Sequence, residues 1–218
     1  EGGKSYYSSR YTANDTLSYG MFMDCRNLRE IALPNTIKVV EKDAFKGCTG
    51  LTVLTIPDEV RSFASLEGCS SLQEFRVSVM NSGFTAEDGI LYDKGRKTLL
   101  LYPEGRVQAV FEIPDGVEKI AECAFQNALV DTLRMTHSVV GLGLQAFRGA
   151  RLKKVVLSDG IATIPGAVFQ GCTGLRSVTL GSGTMYISDY CFDGCVLEEL
   201  RVLADIPPAC ASKAFEGG

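Results

Sequence analysis

The strongest constraint on how this chain can fold is a repeat. The segments MFMDCRNLREIAL (21–33), AFKGCTGLTVLTI (44–56), VFQGCTGLRSVTL (168–180) and CFDGCVLEELRV (191–202) share one pattern. A small or apolar residue precedes Phe, two variable residues lead to Cys, and L-x-x-Φ-x-Φ follows, with Φ apolar. AFQNALVDTLRM (124–135) and AFRGARLKKVVL (146–157) carry Ala128 and Ala150 in place of Cys, and SLEGCSSLQEFRV (65–77) keeps Cys69 but has Leu66 in the Phe slot. The Phe slot therefore reads Phe22, Phe45, Leu66, Phe125, Phe147, Phe169, Phe192 and Phe215, usually with an apolar residue five positions upstream. The first Φ falls at Ile31, Leu54, Phe75, Phe111, Leu133, Val155, Val178 and Leu200, with spacings of 23, 21, 36, 22, 22, 23 and 22.

Φ-x-Φ alternates with the period of a strand that buries one face. One strand about every 22 residues, each followed by a turn such as LPN, IPD, LSDG or LGSG, describes a coil too small to bury its own apolar side. Stacking such coils about 4.8 Å apart gives a continuous core and one solenoid domain. The 36-residue interval marks an insertion of about 14 residues. Within it GILYD and TLLLY read as strands and KGRK as a hairpin loop with Gly95 supplying the turn. The expectation is a β-hairpin that projects from, or extends, one edge of the solenoid.

A repeat written I-x-x-x-A-F-x-x-C-x-x-L-x-x-V-x-I-P resembles the BspA-like leucine-rich repeat family of bacterial surface proteins. IAECAF, AFKGCTGLTVLTIPDEV and FEIPDGVEKI are close to its consensus, and the pair DGILYDK (88–94) and TLLLYP (98–103) looks like a recurrent insertion of that family. The resemblance implies a right-handed leucine-rich-repeat superhelix. The expected class is an α/β-type repeat solenoid, mostly β and irregular turns, of about eight coils, with a hairpin near 84–103. It also implies export to the cell surface or outside and a role in adhesion or macromolecular binding. The expected organisation is an N-terminal extension over 1–16 and one leucine-rich-repeat domain over 17–218, with the insertion at about 79–106. A truncated last repeat is expected, because the chain stops just after Phe215 opens a new one. The first residues lack the charged and apolar regions of a signal peptide, and removal of such a segment is the favoured reading. Membrane anchoring through that removed segment is compatible with it.

An even count of eight cysteines invites a disulfide or metal reading. Cys25, Cys48, Cys69, Cys172 and Cys195 all sit three residues after the Phe slot, and Cys191 takes a slot that is Ala elsewhere. Positions filled interchangeably by Cys and Ala are packing positions, so these six are expected as buried free thiols; Cys123 and Cys210 are less constrained. In-register Cβ atoms about 4.8 Å apart are slightly too distant for a disulfide. No C-x-x-C occurs and His137 is the sole histidine, which disfavours a metal site or a His-dependent triad. The glycine clusters GLGLQAF and GSGTMYI fall at repeat turns rather than ahead of a helix. Glu87, Asp88, Asp93 and Glu104 gather about the hairpin and are read as surface charge rather than a calcium site.

If the Φ residues point inward, the intervening positions face solvent on the concave sheet. One column reads Glu30, Val53, Glu74, Val110, Thr132, Lys154, Ser177, Glu199, and its neighbour Ala32, Thr55, Arg76, Glu112, Arg134, Val156, Thr179, Arg201. Concave solenoid faces are extended binding surfaces, and Arg is favoured at recognition hot spots. The candidate partner-binding residues are Glu74, Arg76, Glu112, Arg134, Lys154 and Arg201. Tyr92 and Tyr102 on the hairpin form a second candidate, as an exposed aromatic edge. A net charge of −4 with both signs interspersed argues against nucleic acid, and no apolar run reaches the ~18–20 residues of a membrane span. No catalytic constellation or cofactor motif rises above the repeat. The chain reads as a non-enzymatic surface module binding a protein or glycan, the alternative being an architectural spacer with no ligand of its own.

Overall fold

The structure, a computed structural model, describes residues 15–64 and 66–217. The expected N-terminal extension lies, up to residue 14, outside the described residues. Eighteen strands are numbered in chain order. The N-terminal part holds β1 (Thr16–Leu17), β2 (Val39–Val40), β3 (Val53–Ile56), β4 (Ser62–Phe63) and β5 (Glu74–Val77). The insertion supplies β6 (Phe84–Glu87), β7 (Ile90–Asp93) and β8 (Thr98–Leu101). The rest holds β9 (Val107–Glu112), β10 (Lys119–Ile120), β11 (Leu129–Arg134), β12 (Gly141–Leu142) and β13 (Lys154–Val156), then β14 (Thr163–Ile164), β15 (Ser177–Leu180), β16 (Tyr186–Ile187), β17 (Glu199–Val202) and β18 (Ala209–Cys210). No helix occurs among the described residues.

Each coil but the first and last described runs from a short strand through the Phe slot to a longer strand, and coils stack by parallel pairing. The short strands form β1-β2-β4, β8-β10-β12 and β14-β16-β18; the long ones form β3-β5 and β9-β11-β13-β15-β17. Nine coils lie among the described residues, close to the expectation of about eight, the additional one arising because Tyr102 occupies a Phe slot. Its ring stacks on Phe125 at 5.0 Å, and the stack continues through Phe147, Phe169, Phe192 and Phe215 at centroid spacings of 5.1 to 5.5 Å. Phe22 and Phe45 stack likewise at 5.3 Å, and Leu66 is the interruption between the two piles.

The cysteine ladder is a hydrogen-bonded one. Cys48, Cys69, Cys172 and Cys195 each donate their thiol to the carbonyl of the Phe one coil earlier, Phe22, Phe45, Phe147 and Phe169, at 3.0 to 3.2 Å. A thiol is a weak donor that otherwise packs as a small hydrophobe, which is why Ala replaces it in two coils without loss of register. Cys48, Cys69, Cys172, Cys191 and Cys195 are buried and unpaired, as expected. Cys25 departs from that expectation: it lies in the first described coil, at the end of the ladder, and is exposed.

Of its two expected forms, the insertion takes the one that extends an edge: β7 and β6 continue the sheet order β12-β10-β8. β7 and β8 pair antiparallel, but β6 is a third strand, joined to β7 by Asp88–Gly89, both in the left-handed region (φ 49° and 74°). Two consecutive residues of positive φ make a type I′ turn, for which Asp-Gly is a preferred pair. In the second turn Arg96, not Gly95, takes the positive φ (56°). The hairpin does not project. β7 passes between two buried clusters, giving Leu91 to the N-terminal one and Ile90 and Tyr92 to the C-terminal one. Phe75 N donates to Gly89 O at 2.8 Å, so the β6–β7 turn takes the place of a neighbouring coil beside β5. The expected exposed aromatic edge is therefore absent: Tyr92 is 1% exposed and Tyr102 4%. Both rings are core residues: Tyr92 because β7, in the middle of a mixed sheet with apolar layers on each side, has no wet face, and Tyr102 because it stands in the Phe stack against Phe125.

Candidate binding surface

The long strands β3, β5, β9, β11, β13 and β15 place their first Φ residues inward, whereas Leu200 on β17, the last long strand, is 39% exposed. Phe75, Phe111, Leu133, Val155 and Val178 are buried, and the residues beside them point out from the sheet. Pairing brings the expected columns into register on β9 to β17: Val110, Thr132, Lys154, Ser177 and Glu199 align, as do Glu112, Arg134, Val156, Thr179 and Arg201. Glu112, Arg134, Lys154, Glu199 and Arg201 are exposed, whereas Thr132, Val156, Ser177 and Thr179 are half-buried. On the N-terminal sheet Val53 aligns with Glu74 and Thr55 with Arg76.

The electrostatics of this face alternate. Arg134 Nη1 lies 3.1 Å from Glu112 Oε1, and Ser177 Oγ donates to Glu199 Oε2 at 2.8 Å, each bridging adjacent coils. Arg76 pairs with Glu74 on its own strand. Lys154 and Arg201 have no ion-pair partner among the described residues. The pairs are solvated and contribute little to stability, on the order of 0–1 kcal/mol each. Their effect is to hold charged heads at fixed spacing along the sheet.

The structure does not bring all the candidates together. The Asp88–Gly89 turn lies between β5 and β9, separating Glu74 and Arg76 from Glu112, Arg134, Lys154 and Arg201. Arg76 lines a groove of about 470 Å³ together with Glu30, Thr55, Asn35, Pro57 and Asp58. Asn35, Pro57 and Asp58 are not among the expected site residues; they come from the LPN and IPD turns that end the strands, and the recurrence of those turns is the available signal. His137 is exposed in a turn. Among the described residues no group of three or more His, Cys, Asp or Glu is placed to hold a metal ion. The hairpin carboxylates act locally: Glu87 pairs with Arg96, and Asp93 Oδ1 accepts from Thr98 N at 2.8 Å. Glu104 is buried and accepts from Asn127.

One exposed strand per coil, an apolar ladder inside it and a turn-built outer face define a leucine-rich-repeat solenoid. The chain belongs to the BspA-type leucine-rich repeat family, whose repeat region matches residues 13–86 and 107–217 in six copies. The unmatched residues 87–106 run from the end of β6 to the edge of β9 and include β7 and β8. Among solved structures the chain is similar to a leucine rich cell surface protein from Faecalibacterium prausnitzii A2-165, with 26% identity and a TM-score of 0.71 over 93% of this chain. It also shares its fold with the pneumococcal vaccine antigen PcpA, at 21% identity and a TM-score of 0.61 over 86% of this chain. The chain spans 60% and 58% of the lengths of those two proteins. No curated protein matches it by sequence. Among the described residues no helix is long and apolar enough to cross a membrane.

Proposed function

We propose that the chain is an exported, surface-displayed recognition module that binds a protein or glycan through its concave sheet and carries out no catalysis. The observation that carries this reading is the in-register set Glu112, Arg134, Lys154, Glu199 and Arg201, exposed on four of the five strands β9 to β17. A rigid sheet presents these heads without the entropy cost of ordering a loop. Tyr92 and Tyr102 have no part in the surface, being buried. The likeness to a leucine rich cell surface protein supports display at the surface.

The test is a binding screen against matrix proteins and glycans, followed by Arg134, Lys154 and Arg201 changed together to Ala, with Arg76→Ala made separately. Loss of binding in the triple variant supports the five-stranded sheet, and loss in Arg76→Ala alone moves the site to the N-terminal groove. Unchanged binding in both removes the concave-face proposal. A spacer role is the second reading, favoured by the small residues Thr132, Val156, Ser177 and Thr179 at the centre of the sheet and by the lack of an aromatic in either column. Absence of any ligand in the screen supports it.

A further inference from the structure

The outer face of the solenoid carries a notch whose origin is visible in residue counts. From the last paired residue of the short strand to the Phe slot, most coils take five steps: Val40 to Phe45, Ile120 to Phe125, Leu142 to Phe147. Two consecutive coils take only three, Phe63 to Leu66 and Leu99 to Tyr102. In the full coils the extra residues swing outward through a left-handed residue two before the Phe, such as Asp43, Cys123 or Gln145 (φ 60°, 55° and 55°). The two short coils lack that outward turn, so the surface sinks between coil 2 and coil 5.

The resulting cavity is about 440 Å³, with Phe63 and Ala64 from a short coil and Lys42, Glu122, Cys123 and Arg148 from the full coils on either side. It joins an apolar recess of about 170 Å³ through Phe63, Ala64 and Glu122; Leu91, Leu100 and Leu101 line the recess. An apolar recess beneath a few convergent polar groups is the usual form of a small-molecule site, and the volume falls in the usual range. The charges give the ligand its sign. Glu67 is already neutralised by Lys46 at 3.0 Å, whereas Lys42 and Arg148 have no ion-pair partner among the described residues. Glu122 is the one unpaired acid among these lining residues. Glu104 lies deeper, on a cavity of about 20 Å³ that shares Glu67, Cys123 and Gln126 with the notch. Its Oε2 has no hydrogen-bond partner, and burial pushes its carboxyl toward the neutral form.

We propose that this notch binds an anionic amphiphile, an alkyl or aryl carboxylate whose apolar body enters the recess over Phe63 and Leu101 while its head lies between Lys42 and Arg148. The site is on the opposite face from the concave sheet and is independent of the function proposed above. Sodium octanoate is the probe, titrated calorimetrically and by protection of Cys123 against alkylation of the native chain. At ten times its Kd it is expected to slow Cys123 modification about tenfold, leaving the exposed Cys25 and Cys210 unchanged. The Lys42→Ala/Arg148→Ala double variant is expected to lose both the heat and the protection. Ala64→Trp, which fills the notch and leaves the cations in place, is expected to do the same, with circular dichroism confirming an intact fold in each. Equal or tighter binding of octylamine, binding that survives both variants, equal protection of Cys25 and Cys210, or no octanoate heat at millimolar concentration would each overturn the proposal.

Discussion

Replacing Phe147 with Ala removes a ring that is 0% exposed and sandwiched between Phe125 at 5.1 Å and Phe169 at 5.3 Å. A buried Phe→Ala change costs about 3–5 kcal/mol, and each aromatic pair adds about 0.5–1.5 kcal/mol beyond area. Because the ring is stacked on both faces, the upper part of that range, about 4–5 kcal/mol, is expected. Phe147→Leu keeps most of the apolar volume and places there the residue that coil 3 already tolerates at Leu66. Its cost is the two stacking terms, about 1–3 kcal/mol. Phe215 has one stacking neighbour, Phe192 at 5.1 Å, and is 41% exposed, so Phe215→Ala should cost about 1–2 kcal/mol. The assay is urea unfolding followed by circular dichroism, since the chain has no Trp. A slope of about 3 kcal/mol/M puts the Phe147→Ala midpoint about 1.5 M below the parent. If Phe147→Ala costs no more than Phe215→Ala, or Phe147→Leu no less than Phe147→Ala, the stacked column is not what holds adjacent coils together.

Native-state alkylation should modify Cys25 and Cys210 rapidly and Cys123 slowly. The other five thiols should be protected until the chain unfolds, because burial pushes Cys69 up to about 12 and Cys195 up to about 11. Gly181→Ala puts a Cβ 2.2 Å from the backbone oxygen of Ser158, which cannot yield as a side chain could; a loss of about 2–3 kcal/mol in urea unfolding is expected, and a neutral result would refute the close approach. Glu104 has a folded pKa raised by burial, so the folded chain binds more proton than the unfolded one above about pH 4.3, and stability from this group falls as pH rises through the folded value. Glu104→Gln should therefore gain on the parent as pH rises above the unfolded value of about 4.3, and unfolding midpoints that shift in parallel would contradict the assignment. A single domain over residues 17–218 predicts coincident transitions by circular dichroism and tyrosine fluorescence, while two separated transitions would divide the chain at the insertion.

The long-strand register is legible in the sequence because Φ-x-Φ has a period of two and a one-residue slip would turn Leu133 or Val155 outward. That is why counting alone places Glu112, Arg134, Lys154 and Arg201 on the outward face of the long-strand sheet. The thiols are legible for the same reason, through Cys–Ala exchange at one packing position. Tyr102 does not declare itself as a Phe-slot residue because it follows Leu99 by only three steps, so it falls outside the five-step template. β7 misleads because a short apolar run reads alike whether it is a wet edge or a strand buried on both faces. Asp88–Gly89 does carry the signal of the β6–β7 turn, but as backbone geometry, whereas the carboxylates around it read first as surface charge. The notch is legible only in part: the shortened segment VRSFASL, ending at Leu66, already marks a local distortion in the sequence, but the second shortening, before Tyr102, is hidden because Tyr102 does not read as a Phe-slot residue.

β7 has a consequence for how such a chain can change length. Leu91 completes the interior of one half while Ile90 and Tyr92 complete the other, so each half already possesses an inner wall. In an ordinary solenoid every coil is the packing partner of the next, and a deletion exposes whatever lay beneath it. Here β7 supplies part of that packing to both sides, and coils gained or lost farther out on one side would leave its contacts with the other in place. The number of coils, and with it the reach of the concave sheet, can thus be set independently on the two sides of residues 84–93.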